Sequence, residues 1–103
     1  MAYKLVVTEN AAQQVESIVD YIMYRLHNKQ AAIDVINDVE KAYSKLRVMP
    51  TAYAYCFDRY LLAKKYRKLT LEKHQYVILF QVKDNTVYVN GVFHMLENYR
   101  EKL

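Results

Sequence analysis

Glycine, proline and cysteine each occur once in this chain of 103 residues. So few backbone breakers, set against 53% apolar side chains, exclude a disordered or linker-like chain. The lone Cys56 cannot close a disulfide within the chain, which points to a reducing compartment, the cytoplasm. Long apolar runs are missing as well. None approaches the ~20 residues that a membrane-spanning helix requires, so no membrane association is expected. The opening Met1-Ala2-Tyr3-Lys4-Leu5 has none of the features of a secretion signal. The three histidines and the cysteine fall in no metal-ligand spacing, so no structural zinc and no other cofactor is expected.

Charge is present but unevenly spread. The net charge is +4. Residues 1–51 carry six cationic and six acidic side chains, whereas residues 52–103 carry nine and five. The whole excess therefore belongs to the second half, which is where an acidic partner or a phosphate backbone would be met.

The length suits one domain, residues 1–103, with one modest core. Residues 3–8 are β-rich and predict a strand. Thr8 or Asn10 can then cap a helix over about residues 9–27, whose apolar stripe is Val15, Ile18, Val19, Ile22 and Leu26. Asn28-Lys29 breaks it. A second stripe follows at Ala32, Ile36, Val39, Tyr43 and Leu46, with Val35 beside it and Asp34, Asp38, Lys41 and Lys45 on the polar side. This helix must stop before Pro50, because the residue preceding proline is pushed out of helical geometry. Beyond Thr51 the pattern turns to β, with strands expected at 66–71, 76–82 and 87–92, a tight turn at 83–85, and a short helix over 95–103. Gly91 marks a bulge or a close approach. The order β-α-α-β-β-β-(α) predicts an α+β fold of two layers, a helical hairpin packed on a small antiparallel sheet.

This order and the residues along it resemble the RelE/ParE superfamily of toxins from type II toxin–antitoxin systems. The resemblance rests on Thr8-Glu9-Asn10-Ala11, on Ile18-x-x-Tyr21-Ile22 and Ala31-Ala32, and on Leu46-x-x-x-Pro50 and Tyr66-Arg67-Lys68-Leu69. It continues through Tyr76-Val77-Ile78-Leu79-Phe80 to Val87-x-Val89-x-x-Val92-x-His94 with Asn98-Tyr99 behind. It implies a cytoplasmic toxin that arrests growth and is neutralised by a cognate acidic antitoxin in a hetero-oligomer. Two targets divide the superfamily. ParE-like members inhibit DNA gyrase; RelE-like members are metal-independent endoribonucleases that cut messenger RNA on the ribosome. A non-toxic binding module is the third reading, since fold alone does not choose a function.

In a ribonuclease the resemblance implies catalytic roles for Arg67, His94 and Tyr99: a charge on the scissile phosphate, an acid–base group, and an aromatic that stacks on a base. Lys64, Lys65, Arg67 and Lys68 cluster around Tyr66 and are candidates for holding phosphate or an acidic partner. Tyr21, Tyr24, Leu61 and Leu62, with Ile33, are candidate antitoxin contacts. His74 reads as an exposed turn residue and His27 as a cap or surface residue. One departure weighs on the choice of target. RelE-like nucleases commonly place an arginine just after the aromatic that opens the third strand, and here that position is Val77. A valine offers phosphate neither charge nor a hydrogen bond, and losing one such donor typically costs ~10²–10³ in rate. The resemblance is therefore closer to ParE-like members than to RelE itself.

Overall fold

In the computed structural model, which describes residues 2–103, the β-rich opening forms strand β1 (Lys4–Val7). Met1 lies outside the described residues. Thr8 caps helix α1 (Glu9–Asp20), its hydroxyl accepting from the Ala11 amide at 3.2 Å. The expected single helix to residue 27 is not continuous. A π-helical turn takes over at Tyr21–Arg25, with the Leu26 amide donating to the Tyr21 carbonyl five residues back. One extra residue in a turn rotates the next stretch of chain about the helix axis. Ile22 stays buried, but Tyr21, Tyr24 and Leu26 swing outward, so Leu26 leaves the apolar stripe.

His27, in the left-handed region at φ 51°, reverses the chain, and Asn28 caps helix α2 (Lys29–Val48) through the Ala31 amide. The helix stops two residues before Pro50, which opens a single 3₁₀ turn. Its buried row is Ala32, Val35, Asp38, Val39, Ala42, Tyr43 and Leu46. Ile36, expected on that row, is exposed, and Asp38, expected on the polar side, is buried.

The connection after Pro50 holds a short helix that the periodicity missed, α3 (Arg59–Ala63), capped by Asp58. Strands β2 (Arg67–Thr70), β3 (Tyr76–Lys83) and β4 (Thr86–His94) follow as an antiparallel meander. The two-residue turn at Asp84 and Asn85 joins β3 to β4, with Asp84 at φ 56°. The sheet order is β1-β4-β3-β2, and β1 pairs with β4 in parallel, from Lys4 beside Thr86 to Val7 beside Val89. The chain closes with a 3₁₀ turn, Tyr99–Lys102, in place of the expected helix.

Both faces of the sheet are covered. The helical hairpin lies on one face, over Leu69, Leu71, Ile78, Phe80, Val87, Val89 and Val92. The other face carries a second cluster: Leu61 of α3, Cys56, Tyr66, Val77, Leu79 and Phe93, with Tyr99 and Leu103 of the tail against it. Strand parity explains the sorting up to Val89, since alternate residues face alternate sides. The register then shifts, so that Leu79 faces Gly91 while Phe80 faces Val89, leaving Asn90 extra. This bulge turns Val92 back to the helices and Phe93 to the far cluster. Gly91 is also a close approach: a Cβ there would overlap the Phe93 ring, 2.7 Å from its Cζ.

Candidate functional site

Arg67 projects from β2 beside Phe80 and is held by the connection that precedes α3. Its Nη1 donates to the carbonyls of Tyr53 at 2.6 Å and Thr51 at 3.3 Å. The guanidinium lies over the Tyr55 ring, 4.0 Å from its centroid, a cation–π stack. The other cations of the run do not share its surroundings. Lys64 folds onto Tyr60, its Nζ 2.7 Å from the phenol oxygen. Lys65 is exposed at φ 61°, where the chain turns from α3 into β2. Lys68 follows Arg67 on the strand and so points to the opposite sheet face, where its charge acts on Cys56. The Cys56 thiol is nonetheless pushed up by burial, so it is a packing residue rather than a nucleophile.

His94 ends β4 with its ring edge-on to Tyr76, at a centroid distance of 5.5 Å. Its Nδ1 accepts from the Leu96 amide at 3.1 Å, and its own amide donates to Glu97 at 3.0 Å. Tyr99 stacks on Phe93 across 5.8 Å, on the face away from the hairpin. Arg67, His94 and Tyr99 are thus not brought together. The β3 partners of Arg67 and His94 are Phe80, in mid-strand, and Tyr76, at its start, about 13 Å apart along the strand.

Of the candidate antitoxin contacts, Tyr21 and Tyr24 stand exposed on the π-helical turn, and Ile33 on α2 and Leu62 on α3 are open too. Leu61 is a correction. It is 1% exposed, packed under α3 in the second cluster, because a five-residue helix needs one anchoring side chain and Leu61 supplies it. Val77, where nuclease relatives place arginine, is 3% exposed in the same cluster.

The sequence pattern concealed a polar strap. Asp38, 6% exposed on α2, accepts from the Lys73 amide at 3.0 Å and from His74 Nδ1 at 2.7 Å. His74 is therefore an anchored residue rather than the exposed turn residue expected of it. Lys41 and Lys45, one and two turns along the helix, both bind Glu72, whose carboxyl they hold down at about 2. The row 38, 41, 45 at helical spacing was the available signal; its partners lie in the β2–β3 loop.

A groove between the two helices is lined by Val7, Val15, Ile36, Val39 and Tyr43. Among the described residues the buried Tyr43 hydroxyl has no hydrogen-bond partner, and burial with the nearby Glu40 charge pushes it up to about 12.

The family model for the ParE toxin of type II toxin–antitoxin systems, parDE, matches residues 5–99. The chain belongs to the ParE toxin family. The match runs from β1 to the start of the terminal 3₁₀ turn and takes in every strand of the sheet. Among solved structures, a chromosomal ParDE toxin–antitoxin system from P. aeruginosa has the same fold, with a TM-score of 0.75 at 20% identity. The alignment covers 90% of this chain and 96% of the other. No curated protein matches the sequence. Membership of the ParE family makes this chain a type II toxin with ParE-like architecture, in which α3 and the tail cover the sheet face that the hairpin leaves bare.

Proposed function

We propose that this ParE-family chain arrests growth by binding DNA gyrase, in the cytoplasm, and that it does so without cutting RNA. The observation that carries the reading is Val77. At the position where RelE-like relatives hold an arginine, this chain packs a valine into an apolar cluster. Arg67 offers no substitute from its own strand, because its guanidinium is bonded to the Thr51 and Tyr53 carbonyls and stacked on Tyr55. The Nδ1 of His94 is already occupied by a backbone amide. These groups serve the fold, and a site built by binding surfaces remains.

The neutralising partner is an acidic antitoxin that covers the helical hairpin. Tyr21 and Tyr24 on the π-helical turn, with Ile33 and Ile36 on α2, give it rigid aromatic and aliphatic anchors. Purified toxin is expected to inhibit plasmid supercoiling by gyrase, to lose that effect on adding its antitoxin, and to leave translated messages uncut. Normal supercoiling at a large molar excess of toxin refutes the gyrase reading; new cuts in translated messages refute the rest.

A further inference from the structure

On the sheet face away from the hairpin, α3 carries a surface that the fold itself does not use. Phe57 is 93% exposed, the most open large apolar side chain among the described residues. Leu61 anchors α3 from below, and with 3.6 residues per turn Arg59 points the opposite way, to solvent. Tyr60 and Leu62 flank that line, each about half exposed. Among the described residues Arg59 and Lys65 make no ion pair, and Lys64 reaches only the Tyr60 phenol. The acid closest in sequence is already spent: Asp58 caps the helix and pairs with Arg100 at 3.1 Å. The surface is also held rigid. Gln81 of β3 donates to the Lys64 carbonyl at 2.8 Å and ties down the far end of α3.

Resting on the reading of the chain as a gyrase-directed toxin, we infer that Phe57, Arg59, Tyr60, Leu62 and Lys64 form its target-binding surface. The partner it fits is an acidic protein surface with an apolar recess for Phe57. An exposed aromatic anchor and two cations without ion pairs among the described residues, set along one short anchored segment, have the composition of a protein-binding hot spot. The choice of a protein over nucleic acid follows from Phe57 and Leu62, which give phosphate nothing, and from two carboxylates nearby, Asp58 at the start of α3 and Glu101 beside Tyr60. Opposite charge makes the encounter fast and salt-sensitive. The surface stands apart from the hairpin, so the toxin engages target and antitoxin through different faces.

Three full-length variants test this: Phe57→Ala, the double variant Arg59→Glu with Lys64→Glu, and Lys83→Glu as a charge control on the β3–β4 turn. Each is induced in cells for growth arrest and purified for gyrase supercoiling, with thermal melting to verify the fold. Phe57→Ala and the double variant are expected to melt like the parent, to lose growth arrest, and to need at least tenfold more protein to inhibit gyrase. Lys83→Glu is expected to behave as the parent. Growth arrest at parental strength in both platform variants overturns the surface while leaving the gyrase reading intact. A parent that arrests growth without touching gyrase overturns the gyrase reading, and the surface then stands or falls on whether the variants lose arrest. A parent that does neither overturns both. Loss of toxicity that tracks loss of binding to a bare DNA or RNA fragment overturns the protein partner in favour of nucleic acid.

Discussion

Replacing Asp38 with alanine removes the acceptor that ties the β2–β3 loop to α2. The carboxylate is 6% exposed and takes two hydrogen bonds, from the Lys73 amide and from His74. Bonds to a charged group contribute about 1.5–3 kcal/mol each, and water reaching the opened loop recovers part of that, so the loss should come to about 2–4 kcal/mol. For a domain of this size each kcal/mol moves the melting temperature by roughly 4–8 °C, which puts the drop at roughly 8–32 °C. The Glu72 pairs with Lys41 and Lys45 are exposed and cannot make good the loss. The effect carries a pH signature. Burial pushes the Asp38 carboxyl up, but the His74 ring, the Lys73 amide and the His74 charge outweigh it and hold the group below its ordinary value. A carboxyl depressed in the folded state stabilises above its unfolded value, about 3.9, and that contribution fades as pH falls through the lower folded value. Urea unfolding of parent and variant should therefore differ most at neutral pH and converge below about pH 4. Equal midpoints at neutral pH, or a gap that persists undiminished in acid, refute the account.

Gly91→Ala is expected to destabilise by about 1–3 kcal/mol, because the new Cβ meets a Phe93 ring that is stacked on Tyr99 and has nowhere to go; the urea midpoint reads this directly. Leu61→Ala should lose about 2–5 kcal/mol from the second cluster, whereas Leu62→Ala one residue on should change stability by under about 0.5 kcal/mol. A comparable loss from both would put Leu61 on the surface. Arg67→Lys is expected to destabilise nearly as much as Arg67→Ala, since a lysine cannot both stack on Tyr55 and reach the Tyr53 carbonyl; full rescue by lysine in a melting experiment contradicts that. Cys56 should react with a thiol reagent only at the rate of unfolding, because its sulfur is covered and its thiolate disfavoured.

What the sequence made legible were the features written in local pattern. The cap at Thr8, the break at Asn28, the stop before Pro50, the β-branched runs and the turn at Asp84 all stand where the pattern puts them. What it hid were choices made at a distance or below the length of a period. α3 is five residues long, too short to show a stripe, although Asp58 followed by two leucines is a capping signal. The parallel seat of β1 beside β4 is a decision between strands, invisible within either one. Arg67 was readable as a cation but not as a spent one, because its acceptors are main-chain carbonyls that no residue type announces. Asp38 looked solvated because its partners arrive from a loop that the helix pattern cannot see.

The seat of β1 has a consequence in time. The first strand made is completed by the last, since Lys4 to Val7 find their sheet partners only at Thr86 to Val89. At about 5–20 residues per second, several seconds of synthesis separate the two. Through that interval the hairpin has no finished sheet to lie on, and a poison assembled in this order cannot come into being before β4 has been made.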